Sequence, residues 1–243
     1  MHTSEPLDIV MTTWHRPEMT ARMITELEDK TDVPYRLTVV DNDSPDEMQQ
    51  GLLNFKMEGL IHNLILLSEN IGLEPAKNIG LGFVKSPWFV STDNDCLPSQ
   101  CWLGKLVQLT CDNPDYVAIS CRTQVMIGTG NIFEGHEDEE ILEFPHPGGS
   151  LRIMNTQAVL DVGGWRNDVN SRGQEEKYIC GKLREKGFKT GFAVKIKTYH
   201  MFGDGNWGYD DNWKPEDHGH TPIWHPALNG DNEERIKEWL NKS

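Results

Sequence analysis

The feature that most restricts this chain is an alternation in its first hundred residues. Short apolar runs, each ending in polar or acidic residues, are separated by segments of helical periodicity. Leu7–Thr13 (LDIVMTT) has strand composition, and the segment after it, led by Pro17, repeats Met19, Met23 and Leu27 at four-residue spacing, as on one face of a helix. Tyr35–Asp41 (YRLTVVD) is a second strand, rich in β-branched residues, that runs into Asp41-Asn42-Asp43. Ser44-Pro45-Asp46-Glu47 reads as a capping box, with Ser44 as N-cap, opening a helix that stops near Gly59. Leu64–Leu67 is a third run, expected to be buried. Pro75–Val84 reads as a short helix and Pro87–Thr92 as a fourth strand entering Asp93-Asn94-Asp95. This alternation predicts an α/β domain whose mostly parallel central sheet is flanked by helices. Right-handed crossovers bring the strand ends to one rim, where ligands of open α/β sheets bind. Thr13, Asp41, Asp93 and Asp95 are therefore expected at one crevice.

The second half is less regular. Pro98–Thr110 reads as a helix and Val117–Cys121 as a strand. Arg122–Pro147 reads as a loop with a solvated acidic stretch, Glu137–Glu140. Gly148–Asn155 is a strand, Thr156–Val162 a short helix and Gly163-Gly164-Trp165 a turn. Glu175–Lys186 is helical, with Ile179 and Leu183 on one face and Gly187 as its stop, and Lys189–Tyr199 is extended. From His200 to Gly230 the chain is crowded with Gly, Asp, His and Trp, as in an ordered surface loop, and Asn232–Asn241 reads as a final helix.

Charge narrows the function. Lys+Arg number 23 against 38 Asp+Glu, a net −15, which repels phosphate backbones and anionic lipid, so neither nucleic acid nor bare membrane is an expected partner. No apolar run approaches the ~18 residues of a membrane span. The first residues lack the basic and apolar regions of a secretory leader, and the five cysteines are odd in number with no CxxC pair. They are expected as reduced, buried or semi-buried thiols of a cytoplasmic protein. An acidic chain that binds a phosphorylated ligand needs a local cation. Asp93 and Asp95, two apart at a strand terminus, suit a hard divalent cation, Mg²⁺ or Mn²⁺, sharing diphosphate oxygens and water. Asp and Asn also form turns, the plainer account of such a triplet.

The segment Asn70-Ile71-Gly72-Leu73-Glu74-Pro75-Ala76-Lys77-Asn78-Ile79-Gly80, followed by Trp88-Phe89-Val90 and Asp93-Asn94-Asp95, resembles the signature of the inverting family 2 glycosyltransferases of GT-A fold. Further matches are Thr12-Thr13 with Arg16-Pro17, Val39-Val40-Asp41, the Gly163-Gly164-Trp165 turn, and Glu175-Glu176 on a basic helix ending at Gly187-Phe188. These matches span roughly Leu7 to His200. The resemblance implies one GT-A domain over residues 1–243. Its nucleotide-binding half ends near residue 97, an acceptor and catalytic half extends to about 199, and a loop with a terminal helix follows. It implies a nucleotide-diphospho-sugar donor (UDP-linked first, GDP-linked next), a glycan or other hydroxyl acceptor, and Mn²⁺ or Mg²⁺ as cofactor. The donor would be held by Thr13, Trp14, Arg16, Asp41, Asn70, Lys77, Asp93, Asn94, Gly149 and Trp165. The metal would be held by Asp95 with Asp93 and His200. Lys77 faces the donor or is a solvated helix lysine.

The resemblance also makes the acidic pair catalytic. Joining a sugar to a hydroxyl with inversion requires a base opposite the leaving diphosphate, and Glu176 matches the family's base with Glu175 as partner. The family usually has Asp at the second place, so the choice between the two glutamates stays open. Two carboxylates also suit the first turn of any helix. Trp102, Trp165 and Trp207 are candidate sugar platforms, with core packing preferred for Trp102. Residues 203–208 match GxGxxG but do not lie between a first strand and a helix, and no helical pattern follows, so a lid fits them better than a dinucleotide site. His218, His220 and His225 are a weaker zinc candidate.

Two other readings compete. A sugar-1-phosphate nucleotidyltransferase needs a Gly-rich basic loop where this chain has Thr12-Thr13-Trp14-His15-Arg16-Pro17. A lectin-like module leaves the Asp93–Asp95 and Glu175-Glu176 pairs unexplained.

Overall fold

The computed structural model describes residues 5–123, 132–166 and 175–201, with His200 described through its backbone. The loop and helix expected beyond Met201, including Trp207 and the three histidines, lie outside the described residues. In chain order the elements are β1 (Leu7–Thr13), α1 (Pro17–Lys30), β2 (Tyr35–Asp41), α2 (Asp46–Met57), β3 (Asn63–Leu66), α3 (Leu73–Leu81) and β4 (Trp88–Asp93). Then come β5 (Cys96–Pro98), α4 (Trp102–Asp112), β6 (Tyr116–Thr123), β7 (Ile141–Glu143), β8 (Arg152–Asn155), α5 (Thr156–Asp161), α6 (Glu175–Glu185) and β9 (Lys189–His200).

One sheet runs β3-β2-β1-β4-β8-β6-β9-β5, with β7 beside β9. The first four strands are parallel, as expected. Beyond them, β8 lies antiparallel between β4 and β6, while β6 and β9 are parallel to each other. Strand order reverses between β1 and β4, the switch point where open α/β sheets open a crevice. The register aligns Thr13 with Asp41 and Thr12 with Asp93, so the ends of β1, β2 and β4 share one rim.

The central strands are buried because both faces of the sheet are covered. Every residue of β1 is buried. On one face Ile9, Met11, Leu37 and Val39 pack with Met23 and Leu27 of α1, Leu52 and Phe55 of α2, and Trp102 and Leu106 of α4. On the other, Val10 and Phe89 pack with Leu81 of α3, Val159 of α5 and Ile179 and Leu183 of α6. Gly80 brings α3 down on β1, where a Cβ would lie 2.2 Å from a methyl of Val10.

Several local expectations need correction. The capping box does not form. Pro45 is the N-cap of α2, without a side-chain cap, and the Ser44 hydroxyl instead accepts the His15 backbone N–H at 2.8 Å. β3 is a half-exposed edge strand, because an apolar run at a sheet margin is covered on one side alone. Helix α4 begins four residues after Pro98, which closes the short strand β5. Residues 148–151 precede β8 as a turn. The five cysteines are free as expected, but Cys111 is exposed. Among the described residues no helix is long and apolar enough to cross a membrane.

Candidate active site

Strand β4 delivers Asp93 and the turn after it delivers Asn94 and Asp95. Above the end of β4 converge Lys77 from α3, Gly149 from the turn before β8, and the first turn of α6. Gly149 measures the convergence. A Cβ built there would lie 2.6 Å from Glu176 Oε1, 3.5 Å from Asp93 Oδ2 and 3.7 Å from Lys77 Nζ. Glu176 and the acidic triplet, more than eighty positions apart in sequence, therefore meet across one glycine.

The carboxylates are balanced by cations. Lys77 is fully buried, with its ammonium 3.3 Å from Asp93 Oδ1, so it is a counter-charge and not a solvated helix lysine. Burial alone would lower its pKa, but Asp93, Glu175 and Glu176 outweigh burial and hold it above the ordinary value. Asp93 is pushed up by desolvation, opposed by Lys77 and reinforced by Asp95 and Glu176. Glu175, the more buried glutamate, is raised to about 7, first by burial and then by the charge of Glu176. Asp95 Oδ2 accepts a 2.7 Å hydrogen bond from Arg16 Nη1, and its Oδ1 lies 3.4 Å from Cys96 Sγ, which is also 3.2 Å from Ser150 Oγ.

The β1–α1 loop shapes the other wall. His15 and Arg16 both have positive φ, 58° and 61°, a region that non-glycine residues enter at a cost. Asn94 holds this loop. Its amide nitrogen lies 3.0 Å from Thr13 Oγ1, 2.8 Å from Thr20 Oγ1 and 3.4 Å from the His15 carbonyl. The amide of Asn94 and the hydroxyl of Thr13, both expected to face the donor, are thus engaged with the scaffold. Trp14 is 38% exposed and packs edge-on against the His15 ring at 4.6 Å, available to a ligand.

Next to β1, Asp41 is fully buried. Its Oδ2 accepts from the Ser44 N–H at 3.0 Å and the Gln49 amide at 3.2 Å, while Oδ1 has no hydrogen-bond partner among the described residues. Asn70 accepts from Asn42 and the Gly72 N–H, closing the turn before α3. Asn78, from the same motif, accepts the Trp165 N–H at 2.9 Å and donates to the Trp165 carbonyl at 2.7 Å. Trp165 itself is a core residue, 2% exposed and edge-on to Phe89, so its ring is not a sugar platform. Trp102 is likewise buried, as preferred. His200 pairs through its backbone with Cys96, and the Met201 N–H reaches the Asp95 carbonyl at 2.9 Å. The His200 backbone therefore lies beside the triplet, and its side chain lies outside the described residues.

Sequence reasoning missed Arg152. It is fully buried in β8, opposite Ser91 of β4 and Ser120 of β6, and its charge acts on Lys77. Nη1 donates to the Pro147 carbonyl at 3.2 Å, while Nε and Nη2 have no partner among the described residues. An arginine between Leu151 and Ile153 in a buried strand was the available signal.

Among the described residues no three or more His, Cys, Asp or Glu side chains form a ready-made metal cage. The donor set nonetheless fits a hard dication that keeps water and diphosphate as its other ligands, since Asp93 and Asp95 offer carboxylate oxygen and each already holds a cationic side chain.

With this geometry in view, sequence comparison decides the family: the one described as Glycosyl transferase family 2 matches residues 8–165, about two thirds of the chain. The chain belongs to glycosyltransferase family 2. The GT-A fold of this family 2 member is also that of its structural neighbours. GalNAc-T7, solved with UDP, GalNAc and Mn²⁺, superposes with a TM-score of 0.69 at 15% identity, covering 84% of this chain and 45% of its own. The mannosyltransferase PcManGT of Pyrobaculum calidifontis, solved with GDP-Man and Mn²⁺, gives 0.68 at 19%, covering 84% and 59%. S. aureus TarS gives 0.64 at 14%, covering 81% and 36%. The family 2 chain thus spans between about a third and three fifths of these proteins' length. No curated protein matches it by sequence.

Proposed function

We propose that this chain transfers a sugar from a nucleotide-diphospho-sugar to a hydroxyl acceptor, a glycan or similar molecule, by single displacement with inversion. The observation that carries the reading is the approach of Glu176 Oε1 and Asp93 Oδ2 to the same glycine, Gly149. That shared approach supports reading Glu176 as a base and Asp93 as a metal-binding acid of one cleft.

Glu176 is the better base. Its oxygen lines the cleft, while Glu175 is the more buried of the two. The acceptor hydroxyl gives its proton to Glu176 as its oxygen bonds the anomeric carbon, and the bond to the diphosphate breaks on the opposite face. Asp95 and Asp93 would hold a dication, with His200 a further candidate ligand, and when bound that ion supplies neutralisation of the leaving diphosphate. Lys77 keeps Asp93 in place and limits repulsion among the acids. The buried Asp41 Oδ1 offers an acceptor for a base or ribose N–H or O–H beside Trp14 and Asn70. UDP is the favoured carrier and GDP the next, and the Mn²⁺ in two neighbours supports Mn²⁺ ahead of Mg²⁺.

Thermal unfolding with UDP, GDP, CMP or dTDP, each with and without Mn²⁺, tests this. Ligand at ~100 times its Kd adds about 2.7 kcal/mol, a rise of several degrees. A rise that needs both a nucleoside diphosphate and Mn²⁺ is expected. No response to any nucleotide, with a rise from free glycans, would replace the transferase with a lectin.

A further inference from the structure

We infer that Arg16 is an exchangeable counter-cation for Asp95: its guanidinium occupies the carboxylate until a divalent cation takes its place, and then turns to the donor's diphosphate. This rests on the metal-site reading above and adds the order of events to it. Both oxygens of Asp95 are engaged. Oδ2 accepts from Arg16 Nη1 at 2.7 Å and Oδ1 lies 3.4 Å from Cys96 Sγ. The Asp95 side chain is 9% exposed and that of Arg16 28%, so a cation arriving from solvent meets the guanidinium before the carboxylate.

The backbone presents Arg16 for this exchange. Its carbonyl accepts both the N–H and the hydroxyl of Thr20 at 3.0 Å, and His15 is tied to Ser44 on one side and Asn94 on the other. The anchored backbone leaves the long side chain as the part that moves. The ion pair relieves repulsion among Asp93, Asp95, Glu175 and Glu176, a task a dication would take over. Once released, the guanidinium has the planar donor fork that suits diphosphate oxygens. Metal binding alone then breaks an ion pair, whereas metal with a diphosphate re-forms one. The two ligands are coupled, each strengthening the other by the same factor.

The test is Mn²⁺ titration of the nucleotide-free protein, with free ion read by electron paramagnetic resonance, for wild type, Arg16→Gln and Arg16→Lys. Circular dichroism and melting temperature verify the fold. Arg16→Gln should bind Mn²⁺ about tenfold more tightly than wild type, because a charge-assisted hydrogen bond no longer competes. Arg16→Lys keeps a cation in place and should stay near wild type. The gain in Mn²⁺ affinity on adding UDP or GDP should shrink in Arg16→Gln. Equal or weaker Mn²⁺ binding by Arg16→Gln overturns the exchange and leaves the metal site standing. No Mn²⁺ binding by any of the three, with or without nucleotide, overturns the metal site and the exchange with it.

Discussion

A single added methyl group can separate the proposed base, Glu176, from the rest of the cleft. In Gly149→Ala the new Cβ meets Glu176 Oε1 at 2.6 Å, against ordinary contacts of 3.4 Å or more, so the carboxylate must retreat by about 0.8 Å. Asp93 Oδ2 and Lys77 Nζ, at 3.5 and 3.7 Å, can stay where they are. The obstructed atom is the end of a flexible side chain, so the fold should hardly notice, and the melting temperature should move by less than about 2 °C. Catalysis should notice, because misplacing a reacting group by about 1 Å costs up to roughly 10²-fold in rate, or about 2.7 kcal/mol of barrier. The assay is steady-state release of the nucleoside diphosphate from whichever donor the wild type uses, with kcat and KM separated. Glu176→Asp provides the internal control. Its shorter side chain draws the carboxylate out of the methyl's way, so adding Gly149→Ala to it should cost less than about threefold, a non-additivity expected of touching groups. A Gly149→Ala enzyme with full kcat, or one whose loss is undiminished in the Glu176→Asp background, would refute the placement of the base.

Other outcomes follow from the same geometry. Glu176→Gln should lower kcat by roughly 10²–10⁴, about 3–5 kcal/mol of barrier, with Glu175→Gln less damaging; the reverse ranking would make Glu175 the base. Because burial raises Glu175 to about 7, the folded state holds its proton more tightly than the unfolded chain. Glu175 therefore costs stability as pH rises from about 4.5 through 7, and Glu175→Gln should raise the melting temperature more at pH 8 than at pH 5. Burial opposes ionisation of Asp8, but Arg36, the Lys85 and Ser86 N–H groups and the Ser86 hydroxyl overcome it and hold the carboxyl at about 2. That contribution, about 2 kcal/mol, is complete above pH ~4 and lost as pH falls through ~2. Asp8→Asn should be destabilised at pH 7 and should lack this acid limb in urea titrations. Gly164→Ala, at φ 72° with its Cβ 2.6 Å from Asn78 Oδ1, should cost about 1–3 kcal/mol by calorimetry.

Much of the parallel half was legible in the sequence. The bounds of β1 and β2 coincide with their apolar runs, and α1 and α6 carry their apolar residues at the expected spacing. These elements set their apolar residues against the core, so composition reports them directly. The antiparallel insertion of β8 and the three-residue strands β5 and β7 were not legible, since pairing partners decide them and local pattern does not. Ser44 misled because its hydroxyl serves a long-range contact instead of its own helix. The family motif was legible as a motif, but its division of labour was not. Gly80 packs a helix, Asn78 clamps a turn, and Lys77 reaches the acids. The need for a glycine at 149 emerges only when α6 is laid across the end of β4.

The inward set of Asn94 changes how mutational data on this triplet should be read. Alanine scanning of 93, 94 and 95 would score three inactive proteins and suggest three interchangeable ligands. Asn94→Ala would fail for another reason, since it unfastens the bend that carries Trp14 and Arg16. Its signature would be weakened nucleotide retention with the dication still bound, which no acid-to-alanine change at 93 or 95 should reproduce.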